Sequence, residues 1–290
     1  MTAERLSRLT SERVMTRLAE TRLARFAKRR LPERAEIMLR QIFLGQRVDY
    51  PIKEPVSVKL GDQSAKFWVR NRSDWNRLIA PNSFEQGYGQ RLIATLEHPQ
   101  LSFVDIGAAQ GIYTIMAAMA GCQVWAVDPD PVSLKSLEAN LLLNSRIAKQ
   151  VRIVNTALGN RVENATLHFD LGGRHAPSMA KTVAGLKDTI AVKVTTLDQL
   201  ITDGAIPAPD VVKIDVEGAE LAVIQGMQKT LSAKDKPKHV FVEIHPPYLP
   251  LFGATVDQVL SALTCHGYLC GDNDRWPRRD ELLCHFQLQN

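Results

Sequence analysis

Residues 103–113 read FVDIGAAQGIY, and the rest of the chain is organised around this stretch. An apolar run, 101–106, ends in the small-residue turn Gly107-Ala108-Ala109-Gln110-Gly111, and an apolar helical pattern begins at Ile112. A strand, a glycine-rich turn and a helix in that order make a nucleotide-sized pocket at the carboxyl end of a parallel strand. Glycine lets backbone approach a ligand closely, and the helix N-terminus behind it favours an anionic group. The same pattern also serves as a plain strand-to-helix connection, so the turn does not decide alone.

The rest of the chain keeps the rhythm that this stretch starts. Strands are expected at 102–106, 123–127, 151–155, 211–214 and 239–244. Helices are expected at about 111–120, 132–143, 219–231 and 255–266. Two more strands, 165–169 and 189–194, flank a loop at 172–188, and two final strands fall near 268–270 and 282–288. Alternation of apolar strands with helices implies a largely parallel sheet covered on both faces, an α/β fold. Ahead of it, 56–69 alternates around Gly61-Asp62 as a β-hairpin does. Residues 71–98 read as a segment able to fold over the pocket as a lid. Residues 3–45 read as two helices broken at Pro32. The expected divisions are a basic helical extension at 1–50, a hairpin and lid at 51–98, and the α/β domain at 99–290.

Charge separates the first of these from the others. Residues 1–50 hold 12 Lys and Arg against 6 Asp and Glu, and the remaining 240 residues hold 24 against 25. The excess of +5 therefore belongs to the N-terminal helices, which read as a solvated arm or homodimer contact, or as a basic surface for anionic lipid or an acidic partner. The body lacks the basic excess that nucleic-acid binding needs. The four cysteines form no C-x-x-C pair and read as reduced thiols. With no apolar run of about 18 residues and no signal-peptide pattern, a cytoplasmic setting is expected.

Asp128 closes the second strand, 17 positions after Gly111, where an acid can accept hydrogen bonds from ribose hydroxyls. The turn is not G-x-G-x-x-G. It carries Asp105 two residues before its first glycine, which suits a ligand with an amino group or cation better than a pyrophosphate. Together with VWAVDPDP, LEANLLLN, TTLDQL, VVKIDVEGAELAVIQGM and VFVEIH, these residues make the chain resemble the FkbM family of S-adenosylmethionine-dependent methyltransferases over about 102–245. The family usually has Asn where Ala109 stands and Glu where Asp128 stands.

The resemblance implies a Rossmann-like class I methyltransferase fold, with seven strands of which the last is antiparallel. It implies S-adenosyl-L-methionine as cofactor and a hydroxyl of a saccharide or other small molecule as acceptor. Asp105, Gly107, Ala108 and Gly111 would surround the methionine part, Asp128 and Pro129 the ribose, and Thr156 and Ala157 the adenine, with Glu85 approaching from the lid. A hydroxyl acceptor gains from a nearby base. The candidates stand at adjacent strand ends: Asp215 and Glu217, Glu243 and His245, with His245 or Asp215 expected to take the proton. Glu217 also suits a helix cap, and Lys213 an ion pair with a neighbouring acid. Two acids and a histidine could hold Mg²⁺, but no tight Asp-x-Asp is present, and no metal is expected. Two readings remain open beside the first: a nucleic-acid or protein methyltransferase, and a binding protein that keeps the fold without turnover.

Overall fold

The computed structural model describes residues 54–60, 63–70, 74, 78, 85–97, 100–169, 177–180, 187–277 and 280–288. The helices expected within 3–45, part of the lid and most of the 172–188 loop lie outside these residues. The glycine-turn strand, β3 (Ser102–Ile106), stands in the middle of the main sheet. Before it come the hairpin β1 (Val56–Leu60) and β2 (Gln63–Phe67), and helix α1 (Gln90–Leu96). After it run α2 (Ile112–Met119), β4 (Gln123–Val127), α3 (Pro131–Leu143) and β5 (Val151–Val154).

A small second sheet interrupts the alternation. It holds β6 (Ala157–Leu158), β7 (Glu163–Phe169) and β8 (Asp188–Thr195) in the order β6-β8-β7. The chain then continues through α4 (Leu197–Thr202), β9 (Val211–Ile214), α5 (Glu220–Gln225), α6 (Gln228–Ser232) and β10 (His239–Ile244). It ends with α7 (Val256–Thr264), β11 (Tyr268–Leu269), β12 (Arg275–Pro277) and β13 (Leu282–Leu288).

Across the main sheet the order is β5-β4-β3-β9-β10-β13-β11, with β12 paired to β13 as an additional edge piece. Strands β4, β3, β9 and β10 run parallel, in registers such as Val104 opposite Trp125 and Val104 opposite Val212. β13 is antiparallel to both β10 and β11, so seven strands with the last reversed are present as expected. The chain steps outward from β3 to β5 and then returns to the other side of β3 as β9. The loops leaving β3 and β9 therefore diverge and open a crevice at their carboxyl ends. Below it, Val104, Ile106, Val127, Val212, Ile214, Val242 and Ile244 pack in one apolar cluster that keeps the sheet rigid.

Three differences from the sequence reading have local causes. The helix expected at 219–231 is two short helices separated at Gly226 and Met227. α4 forms because the Thr196 hydroxyl caps it, accepting the Gln199 N–H at 3.0 Å, a signal present in TTLDQL but not read as a helix start. β6 and β12 are too short for alternation to mark them.

The hairpin is tied to the domain by the LEANLLLN block. Asn140 lies on α3, and Asn144, one turn later, caps its C-terminus. Asn144 Oδ1 accepts the Lys66 N–H at 3.0 Å, and Asn140 Oδ1 accepts the Trp68 N–H at 2.9 Å. Asn140 Nδ2 donates to the Gln110 carbonyl at 2.9 Å, so one buried side chain joins the hairpin strand to the glycine turn. Among the described residues no helix is long and apolar enough to cross a membrane.

Candidate active site

The crevice at the β3–β9 divergence is an open cleft of about 1110 Å³, mouth included. Its floor is the glycine turn. Gly107 has φ +79°, and an added Cβ there would lie 1.7 Å from the Asp215 carbonyl oxygen, so only glycine lets the β3 and β9 loops pass this closely. The Gly107 and Ala108 N–H groups donate to the Val127 carbonyl at 2.9 and 3.2 Å, which fastens the turn across the end of β4.

One end of the cleft is apolar and is lined by Val132, Leu158, Leu167, Pro177 and Met179, together with the expected Thr156 and Ala157. Thr156 turns its hydroxyl to the Lys193 carbonyl at 2.9 Å and presents the rest of its surface. Pro129 and Asp128 line the middle. Asp128 accepts the Ala109 N–H on one oxygen and the Asp130 N–H on the other, both at 2.8 Å. Each oxygen keeps further acceptor capacity toward the cleft. The carboxylate is only 4% exposed, and burial outweighs the two backbone donors and pushes its pKa up to about 7. Such a group gains most from a ligand that brings new donors to it. An apolar slot beside a donor-hungry carboxylate therefore fits a purine attached to a ribose.

The remaining expected cofactor residues fall in different places. Gly107 and Ala108 line a smaller adjoining hollow. Gly111 opens α2 away from both walls. Asp105 lies behind the floor, where its Oδ2 accepts the Thr114 hydroxyl at 2.6 Å and its buried Oδ1 has no partner. Burial raises the Asp105 pKa, although the Lys213 charge and the Thr114 bond oppose it. The side chain of Glu85 lies outside the described residues. Ala109 has φ +49°, and its contribution to Asp128 comes from its backbone N–H.

The other end of the cleft is charged. Asp215 and Glu217 line it, while Asp215, Lys213, Glu243 and Glu281 line the adjoining hollow. Lys213, 1% exposed, places its ammonium 3.1 Å from Asp215 Oδ2, 3.3 Å from Glu243 Oε1 and 4.6 Å from the centre of the Tyr113 ring. Burial works against its charge, but Asp215, Glu243 and Asp105 outweigh burial and hold it well above the ordinary lysine range. The expected ion pair of Lys213 is thus a shared one, joining the ends of β9 and β10.

His245, 4% exposed, directs Nδ1 to Glu220 Oε1 at 2.7 Å. Its Nε2 faces Asp215 Oδ1 at 3.7 Å and Glu217 Oε2 at 3.6 Å. Burial would lower the histidine pKa, but the Glu220 bond and the Glu217 and Asp215 charges push it up to about 10. Glu217 does not cap α5: the cap position is Ala219, without a side-chain bond. Glu217 instead sits at φ +52°, a conformation costly for a side chain, in the loop that carries it to the cleft wall.

All four expected catalytic residues therefore gather at one end. Sequence reasoning missed Glu220, which is fully buried and also accepts the Gly218 N–H at 2.9 Å. Its only signal was an acid at the first position of α5, which helix-end electrostatics explains equally well. Arg70 and Asp74, an ion pair at 2.9 Å on the cleft wall, were missed as well, and no motif marks them.

Hexuronic acid methyltransferase AglP of Haloferax volcanii is 26% identical over 196 residues, covering 67% of this chain and 76% of that protein. A methyltransferase FkbM structure from Methylobacillus flagellatus is 19% identical, with a TM-score of 0.43 over 64% of this chain and 43% of that one. An S-adenosylmethionine-dependent methyltransferase from Agrobacterium tumefaciens shares the fold, with a TM-score of 0.50 and 12% identity over 85% of this chain and 73% of that one. The methyltransferase FkbM domain family matches residues 105–270, from Asp105 in β3 to Cys270 just after β11, and the chain belongs to that family.

Proposed function

We propose that the protein is an S-adenosylmethionine-dependent O-methyltransferase acting on a hydroxyl of a saccharide or similar polyol. The observation that carries this reading is that one cleft is lined by the apolar Leu158, Leu167, Pro177 and Met179, by Asp128, and by Asp215, Val216 and Glu217. Bound S-adenosylmethionine supplies an electrophilic sulfonium methyl group. The chain's own residues do the rest. Leu158, Leu167, Pro177 and Met179 take the purine, Asp128 the ribose hydroxyls, and the Gly107–Ala108 turn the methionine part. Holding donor and acceptor in line is worth roughly 7–11 kcal/mol in favourable cases.

In the transfer, the acceptor oxygen forms a bond to the methyl carbon as the carbon–sulfur bond breaks, and the hydroxyl proton leaves to a carboxylate. Asp215 suits that role because it lines both the cleft and the adjoining hollow. Glu220 is fully buried and Glu243 lines the hollow but not the cleft, so neither stands as well placed. The sugar class of acceptor draws support from the hexuronic acid relative.

Titration calorimetry with S-adenosylmethionine should give one saturable site per chain. Labelled cofactor should then pass its methyl to hexose or hexuronic acid acceptors as a base-stable ether. Absence of cofactor binding at millimolar concentration would favour the binding-protein reading. A base-labile ester product would move the acceptor from hydroxyl to carboxylate.

A further inference from the structure

His245 is oriented more firmly than a proton acceptor requires. Glu220, fully buried behind the ring, fixes Nδ1 at 2.7 Å and is itself held by the Gly218 N–H at 2.9 Å. This leaves Nε2, on a ring 4% exposed, aimed at Asp215 Oδ1 and Glu217 Oε2 at 3.7 and 3.6 Å. Both distances are too long for a hydrogen bond, and a cation there would take the place of the Nε2 proton that the same carboxylates favour. Asp215, Glu217 and His245 each offer a ligand atom within 4.8 Å of the other two, so an ion at about 2.0–2.6 Å from each can sit among them. A carboxylate behind the non-ligating nitrogen is the usual support of a metal-binding histidine.

We propose that Asp215, Glu217 and His245 Nε2 hold one divalent cation of the Mg²⁺ or Mn²⁺ type, with Glu220 as the residue that positions the imidazole. The donor set selects the ion. Two carboxylates balance a double charge, oxygen donors favour hard cations, one imidazole is compatible with Mn²⁺, and no thiolate is present. Three protein ligands leave about three positions of an octahedral ion open. Asp215 and Glu217 lie on the cleft wall, so those positions face the space assigned above to the acceptor. The ion would accept two neighbouring oxygens, which narrows the acceptor to a sugar with adjacent hydroxyls or with a hydroxyl beside a carboxylate. This narrowing, unlike the cation site itself, rests on the O-methyltransferase reading.

The test uses the full chain stripped with EDTA and titrated with MnCl₂ near neutral pH. Free Mn²⁺ is followed by electron paramagnetic resonance, with MgCl₂ added as competitor. One Mn²⁺ per chain is expected, displaced by Mg²⁺. Glu217→Gln should weaken binding at least tenfold. Glu220→Gln, which touches no ion, should weaken it by roughly 10- to 100-fold. Both variants should bind S-adenosylmethionine within twofold of the wild type, which shows the fold and the cofactor end intact. No saturable Mn²⁺ in the wild type up to about 1 mM, at the weak limit of such sites, would overturn the proposal. So would equal binding by Glu217→Gln. Mn²⁺ binding without any S-adenosylmethionine binding would sink the methyltransferase reading and leave the cation site standing, whereas the reverse result would do the opposite.

Discussion

The two ends of the cleft are built from different materials. At the cofactor end, backbone groups make most of the contacts: Val127 accepts two turn N–H groups, and Asp128 is held by two more. At the acceptor end, side chains from β9, α5 and β10 meet, and six ionisable groups crowd together: Lys213, Asp215, Glu217, Glu220, Glu243 and His245. Backbone contacts depend on conformation and survive most substitutions. Contacts among buried charges depend on every partner being present. The cofactor end should therefore tolerate side-chain changes that the acceptor end does not.

The strongest challenge to that contrast is Lys213→Met. The methionine fits a lysine-sized space, but Asp215 and Glu243 lose their shared cation in a buried setting. Removing one partner of a buried ion pair costs about 3–5 kcal/mol. Urea denaturation should show a loss in that range, with cofactor affinity changed far less in whatever fraction remains folded. A loss below about 1 kcal/mol would mean that the carboxylates relax or take up protons without strain, and the acceptor end would not be the fragile one.

The same contrast explains what could be read in advance. The alternation of strands and helices follows from patterns local in sequence, apolar runs and helical spacing, and the reversed last strand was implied by the family resemblance. The glycine turn and Asp128 were legible because they lie within one strand–helix–strand unit. The acceptor end was legible only as a set of candidates, since period-two spacing places Glu243 and His245 on one side of β10 but cannot say what faces them. Glu220 was invisible for the same reason. Its role arises from β10 and α5 packing side by side, and in sequence 25 positions separate it from His245. The break at Gly226 escaped because Leu221, Ile224 and Leu231 keep helical spacing across it.

At the cofactor end the larger expected effect is electrostatic. Asp128 has its pKa raised to about 7 in the folded chain, against about 3.9 for an ordinary aspartate. Between these values the native state binds more protons than the unfolded one. The contribution of this group to stability is full below about pH 4 and is lost as pH rises through about 7. Ligand donors favour the carboxylate, so cofactor affinity should rise with pH through the same region, with uptake of cofactor releasing a proton. Calorimetry at pH 6 and pH 8, about one unit either side of that pKa, in buffers of different ionisation enthalpy, would measure both. Asp128→Asn should remove the pH dependence and weaken binding at the higher pH about tenfold, the lower range for hydrogen bonds to a charged group. A flat profile in the wild type would place the ribose contact elsewhere.

The smallest effect concerns Ala109, the position where the family carries asparagine. The missing side chain looks from sequence like a lost cofactor contact. In the structure Ala109 serves Asp128 through its N–H at 2.8 Å, a bond any residue except proline can make. What distinguishes the position is φ +49°, which alanine adopts at a cost of about 1–2 kcal/mol and asparagine adopts more readily. Ala109→Asn should therefore stabilise the chain by about 0.5–1 kcal/mol, part of that cost, and leave cofactor affinity within about twofold. Thermal unfolding and calorimetry on the same preparation separate the two quantities. Tighter cofactor binding with unchanged stability would mean that the asparagine of the family reaches the ligand, and the cofactor end would then rely on side chains more than its geometry implies.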